Sequence, residues 1–352
     1  MKRTKSSSRA FAKTSRRSYT NFCPEFLRSR SQTQKLPENF FRGNMKRIFS
    51  ISVLILLFGF AYLIWNPMPV LKFVLKNTNV MNLIRKDSPL PTKEITERHS
   101  VEIVEVEGAK GIWLDKKNSA NGVLIYLHGG AYIKGPFAAQ WKYVSRMIQK
   151  TSTAAFVVDY GMPPNSPFPK GLNGVVSLIE TLQDRKSLPN RWFLLGDSAG
   201  GGLAVAVAYQ LRERRRTLPR GLILMSPWLD LSMENPDSLL TAKDDPMLTK
   251  EFLIQSAKEY APGKDLKDPL LSPVYGNVKG LPPILLQIGT SEIFLADNRK
   301  FYESCKNNGV EIQYEEYPEA FHVFMMLNVL KEARKAVRSQ IDFIEKTKSN
   351  PL

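Results

Sequence analysis

A serine set among small residues directly after an apolar run is the first feature of this chain able to do chemistry. WFLL (192–195) is followed by Gly196-Asp197-Ser198-Ala199-Gly200-Gly201 and then by LAVAVAYQL. The pattern G-x-S-x-G, placed between a strand and a helix, predicts a sharp turn that strains the serine backbone and exposes its hydroxyl. Small neighbours are needed there, because larger ones collide with the strand or the helix. An exposed serine becomes a nucleophile only beside a base, and the chain has only three histidines. His99 precedes the first predicted strands. His128 opens His128-Gly129-Gly130-Ala131-Tyr132, where a histidine and two glycines at a strand end offer free backbone N–H groups of the kind an oxyanion needs. That leaves His322, in Ala320-Phe321-His322-Val323-Phe324, as the base. The orienting carboxylate is expected after ILLQI (284–288), where Glu292 and Asp297 both occur. Glu292 is the first choice, with Asp297 the alternative, since Asp297 is better explained as the N-cap of the next helix.

The elements that must position these groups are legible as alternating patterns. Apolar runs of strand length occur at 101–106, 111–114, 122–127, 154–158, 192–195, 221–225, 284–288 and 311–314. Helical stretches lie between them at about 137–150, 170–183, 199–215, 250–260, 297–308 and 322–347. Such alternation predicts an α/β fold with a mainly parallel, doubly wound sheet, in which chemistry gathers at the carboxyl ends of strands. A Pro- and Asp-rich stretch, about 233–275, interrupts the pattern as an insertion. Residues 70–84 carry Val70, Phe73, Val74, Val80, Met81 and Ile84 at helical spacing.

Composition narrows the classes. Hydrophobic residues form 43% of the 352 and charged residues 24%, which excludes wholesale disorder. Two cysteines, Cys23 and Cys305, build neither a disulfide framework nor a zinc site, and no pair of histidines has metal-ligand spacing, so no metal is expected; a serine nucleophile with its own base needs no other cofactor. The net charge of +17 is concentrated in residues 1–47. That stretch holds thirteen Lys and Arg against Glu25 and Glu38, and it reads as a basic tail rather than a nucleic-acid surface. Residues 48–65, IFSISVLILLFGFAYLIW, contain no charge and predict a transmembrane signal anchor. A cleaved signal peptide is the second reading and a buried helix the third. Lys and Arg before the segment outnumber those after it, so the tail is expected in the cytoplasm and the catalytic domain outside it, periplasmic or lumenal. Met45-Lys46-Arg47 also looks like a natural start, which would make residues 1–44 an upstream extension.

Taken in order, YLHGGAYIKG (126–135), VVDYGMPPNSPFP (157–169), LLGDSAGGGLA (194–204), LMSPWLDLS (224–232), GTSEIFLAD (289–297) and FHVF (321–324) resemble the hormone-sensitive-lipase-like branch of the α/β-hydrolases. The resemblance covers about residues 100–345. It implies an α/β-hydrolase fold with a helical cap, here about 66–95 and the insertion near 233–275. It implies a serine carboxylic-ester hydrolase acting on short-chain or lipophilic esters, with Ser198 as nucleophile, His322 as base and acid, and Glu292 as the orienting carboxylate. Gly129, Gly130 and the N–H of Ala199 would form the oxyanion hole. Two departures stand out: Ala131 replaces the usual third glycine, and Gly161-Met162-Pro163-Pro164-Asn165 replaces a block that ordinarily carries charge. A non-catalytic ligand receptor on the same fold and an amidase are the alternative readings.

Overall fold

Strand β3 (Val123–Leu127) lies wholly buried in the middle of an eight-stranded sheet, as its unbroken apolar run requires. The computed structural model describes residues 66–77, 87–106 and 109–349. Its other strands are β1 (Val101–Val106), β2 (Ala109–Leu114), β4 (Ala154–Asp159), β5 (Trp192–Asp197), β6 (Leu222–Met225), β7 (Ile284–Gly289) and β8 (Ile312–Tyr317). They are ordered β1-β2-β4-β3-β5-β6-β7-β8. β2 runs antiparallel to both of its neighbours, and every pairing from β4 to β8 is parallel. The expected α/β-hydrolase sheet is therefore present.

Nine α-helices accompany the strands among the described residues: α1 (Met68–Asn77), α2 (Lys93–Thr96), α3 (Ala138–Thr151), α4 (Lys170–Asp184), α5 (Ala199–Glu213), α6 (Ser238–Ala242), α7 (Lys250–Tyr260), α8 (Leu295–Asn307) and α9 (Lys331–Ser349). The two-residue period of the strands divides the core into two layers. Val123, Ile125 and Leu127 pack with α4, α5 and α8, whereas Leu124 and Tyr126 pack with α3 and α9. Burying side chains on both faces, at about 1.5–3 kcal/mol for each large one, holds the sheet between its helices.

Three features differ from the sequence expectation. α1 does not bury Val70 and Phe73, which are 39% and 68% exposed; Met68 and Leu75, two turns apart, face the core instead. The rest of the expected 70–84 stretch lies outside the described residues. The last helix starts at Lys331 rather than at 322, because Val323 adopts a left-handed φ of 55° and only a short 3-10 turn, Phe324–Met326, follows. His322 is thus on a loop.

The third difference concerns the membrane. Among the described residues no helix is long and apolar enough to cross one. α9, with 19 residues, carries Lys331, Glu332, Arg334, Lys335, Arg338, Asp342, Glu345 and Lys346, and the ten residues of α1 span only about 15 Å. The basic tail 1–47 and the segment 48–65 lie outside the described residues. The expected placement as a single-pass membrane protein with an extracytoplasmic catalytic domain is contradicted by the absence of a membrane-crossing helix among the described residues.

Candidate active site

Ser198 sits between β5 and α5 with φ 53° and ψ −122°, a strained conformation for a residue with a side chain. The glycines around it leave no room for anything larger. A Cβ on Gly196 would stand 2.2 Å from the Gly200 carbonyl oxygen, and one on Gly200 would stand 2.1 Å from that of Leu127. The turn is held from outside by the Ser198 N–H donating to Met225 O at 2.9 Å and by the Trp228 N–H donating to Ser198 O at 2.9 Å.

The hydroxyl meets the expected histidine. Ser198 Oγ lies 2.9 Å from His322 Nε2, and His322 Nδ1 lies 2.8 Å from Glu292 Oε2. Residues 124 and 30 positions apart in the chain are joined in one hydrogen-bonded row at the carboxyl ends of β5, β7 and β8. Glu292 is fully buried, and its other oxygen accepts from Ser226 Oγ at 2.7 Å and from the Gly289 N–H at 2.6 Å. Burial pushes the Glu292 carboxyl above its usual range, while the His322 ring, Ser226 and the Gly289 N–H pull the other way.

Asp297 is elsewhere. It lies inside the first turn of α8 rather than at its N-cap, and it accepts from Asn235 Nδ2 at 2.7 Å and Ser238 Oγ at 3.4 Å. Burial lifts its carboxyl from 3.8 to about 6. A folded value above the unfolded one means that the contribution of this one group to stability is greatest below about pH 4 and is lost as pH rises through 6, about 3 kcal/mol for a difference of this size. Asp297→Asn is therefore expected to raise the melting temperature at pH 7.5. Thermal unfolding followed across pH should show the gain closing as pH falls below about 4.

The glycine loop after β3 departs from expectation in one respect. The Gly129 N–H is not free: it donates to Asp197 Oδ1 at 2.9 Å. Asp197 is buried and also accepts from Gln140 Nε2 at 3.0 Å and from the Tyr126 hydroxyl. Burial first, and then the Asp197 charge, drive the Tyr126 phenol well above its ordinary value, so it stays a donor. These bonds tie the glycine loop to the serine turn, and Gly129 must be a glycine because a Cβ there would lie 2.4 Å from Asp197 Oδ2. The expected donor set Gly129, Gly130 and Ala199 is corrected at its first member. Gly130 and Ala131 line the same pocket as Ser198, and among the described residues the N–H groups of Gly130, Ala131 and Ala199 donate to no protein acceptor. Ala131, which stands where a third glycine is usual, offers its N–H whatever its side chain, and a backbone donor leaves no side-chain signature in the sequence. His128 stacks on Tyr160 with ring centroids 4.3 Å apart and turns its Nδ1 to Gly129 O at 2.9 Å. Burial holds its imidazole below the ordinary histidine value.

The row opens on a cavity of about 130 Å³ walled by Leu75, Phe137, Met247, Leu248, Phe252, Leu253, Met326 and Leu327. Its walls come from α1, from the entry to α3, from α7 and the segment leading into it, and from the loop after His322.

A profile described as alpha/beta hydrolase fold matches residues 124–326. The chain belongs to the α/β-hydrolase family. This hydrolase is 33% identical over 237 residues to an acetyl-hydrolase of Streptomyces hygroscopicus, a match spanning 67% of the chain and 79% of the relative. It is 29% identical over 246 residues to an esterase of Acinetobacter venetianus, spanning 68% and 80%. Its fold is similar to the crystal structure of an esterase from the bacterial hormone-sensitive lipase family, with a TM-score of 0.67, 30% identity and coverage of 73% of this chain and 86% of that one.

Proposed function

We propose that this α/β-hydrolase is a serine carboxylic-ester hydrolase working through an acyl-enzyme on Ser198. The observation that carries the reading is the row Ser198–His322–Glu292 facing an apolar cavity beside the N–H groups of Gly130, Ala131 and Ala199, which find no protein acceptor among the described residues. The Nδ1–H of His322 donates to Glu292, which leaves Nε2 with its lone pair towards Ser198 Oγ. As the hydroxyl oxygen attacks the ester carbonyl, Nε2 takes its proton. The carbonyl oxygen gains negative charge and is met by the N–H groups of Gly130, Ala131 and Ala199, the last at the N-terminus of α5, where N–H groups lack helical partners. His322 then gives its proton to the leaving alkoxide, and water repeats the sequence on the acyl group.

The substrate follows from the walls. Leu75, Phe252, Leu253, Met247 and Leu248 favour an ester with an apolar acyl or alcohol part, short enough for a cavity of about 130 Å³. Release of p-nitrophenolate from an acyl-length series of p-nitrophenyl esters tests the function. Turnover well above the buffer rate, highest for short chains, is expected. Binding without turnover would identify a receptor instead. Phe252→Ala removes one wall, and it is expected to raise the kcat/KM ratio of octanoate over acetate ester by about tenfold, since each methylene in an apolar pocket is worth roughly 1–3 kcal/mol. An unchanged ratio would place the acyl chain elsewhere.

A further inference from the structure

Glu292 stands in a loop three residues beyond β7, and the residues on either side of it are held by two long-range side-chain bonds. Lys72 Nζ donates to Ser291 Oγ at 2.8 Å, across 219 positions of sequence. The Ile293 N–H donates to Asp245 Oδ2 at 3.0 Å, across 48 positions. Both partners belong to segments that also wall the cavity. Lys72 is on α1, one turn before Leu75. Asp245 uses its other oxygen, Oδ1, to accept the N–H groups of Met247 at 2.8 Å and Leu248 at 2.9 Å. One buried carboxylate therefore fixes two wall residues on one side and the residue after Glu292 on the other. A local Asx turn accounts for the Oδ1 bonds but not for the bond to Ile293. Charge-assisted bonds of this kind are shorter and stronger than neutral ones and position what they hold.

We infer that Asp245, with Lys72 as a second arm, is a positioning residue that clamps the loop of Glu292 and fixes its place relative to the cavity wall. The inference rests on the reading of Glu292 as the carboxylate that orients His322. Neither Asp245 nor Lys72 touches the reacting atoms. Their effect passes through the register of Glu292 against the imidazole, where a displacement of about 1 Å can cost up to a hundredfold in rate. Burial pushes the Asp245 carboxyl above its usual range, while the nearby His322 and the three N–H donors oppose that shift. The buried N–H of Ile293 has a good acceptor only while Asp245 is present, and asparagine cannot replace both oxygens.

A double-mutant cycle on the full chain tests this, with p-nitrophenyl butyrate as substrate. Asp245→Asn is expected to lower kcat by about ten- to a hundredfold with KM changed by less than about threefold. Lys72→Met, which keeps the stem and loses the bond, is expected to lower kcat by about three- to tenfold. In a Glu292→Gln background neither change should lower kcat by more than about twofold, because the group through which they act is gone. Losses that multiply in that background would overturn the clamp, as would a change confined to KM or no change at all. Should Asp245→Asn fail to fold, Lys72→Met in the two backgrounds carries the same comparison. A Glu292→Gln enzyme with unchanged kcat would overturn the reading of Glu292 itself, and the clamp with it. A crippled Glu292→Gln enzyme whose loss Asp245→Asn multiplies would overturn the clamp alone.

Discussion

Ser198→Ala is expected to reduce kcat for p-nitrophenyl butyrate by about 10⁶-fold, and His322→Ala by a similar factor. The double variant should be little worse than either single one, since the two groups act as a unit on one proton. The alanine at 198 inherits the strained φ of 53° but none of the chemistry, and the turn keeps its backbone bonds to Met225 and Trp228. Folding should therefore survive, and a melting temperature within a few degrees of the parent is the control. Steady-state turnover of purified variants measures the loss. Wild-type rates in either variant would remove the serine mechanism.

Glu292→Gln is expected to lower kcat by about 10⁴-fold, the scale seen when a triad carboxylate becomes an amide and the imidazole takes the wrong tautomer. The amide offers an N–H where Nδ1–H needs an acceptor, and Ser226 and the Gly289 N–H already occupy the other oxygen. Asp297→Asn should leave kcat within about twofold, because Asp297 bonds Asn235 and Ser238 rather than His322. Parallel kinetics on the two variants compares them directly. The reverse ranking would assign the carboxylate to α8.

Much of this was legible in the chain. The apolar runs of β3, β5, β6 and β7 are read easily because strands buried on both faces tolerate few polar residues. The serine turn is legible because steric need fixes small residues at 196 and 200. His322 follows from scarcity, there being only three histidines. What stayed hidden depends on distance or on the backbone. The pairing of the Gly129 N–H with Asp197 spans 68 positions and leaves no local pattern. The donor role proposed for Ala131 has no side-chain signature at all. Asp245 is one acid among several in a Pro- and Asp-rich insertion, and only the fold sets it beside Ile293. The start of α9 is hidden because Phe321, Phe324 and Met325 are spaced as a helix would space them, although they pack into the core from a loop and a short 3-10 turn.

The most direct test of the central claim is to treat the full chain with a fluorophosphonate, which reacts preferentially with an activated serine, and to map the adduct by peptide mass spectrometry. A stoichiometric adduct on Ser198, forming as esterase activity disappears and absent from Ser198→Ala and His322→Ala, is the predicted result. Activity lost with the label on another residue, or full activity retained with Ser198 labelled, would contradict the account.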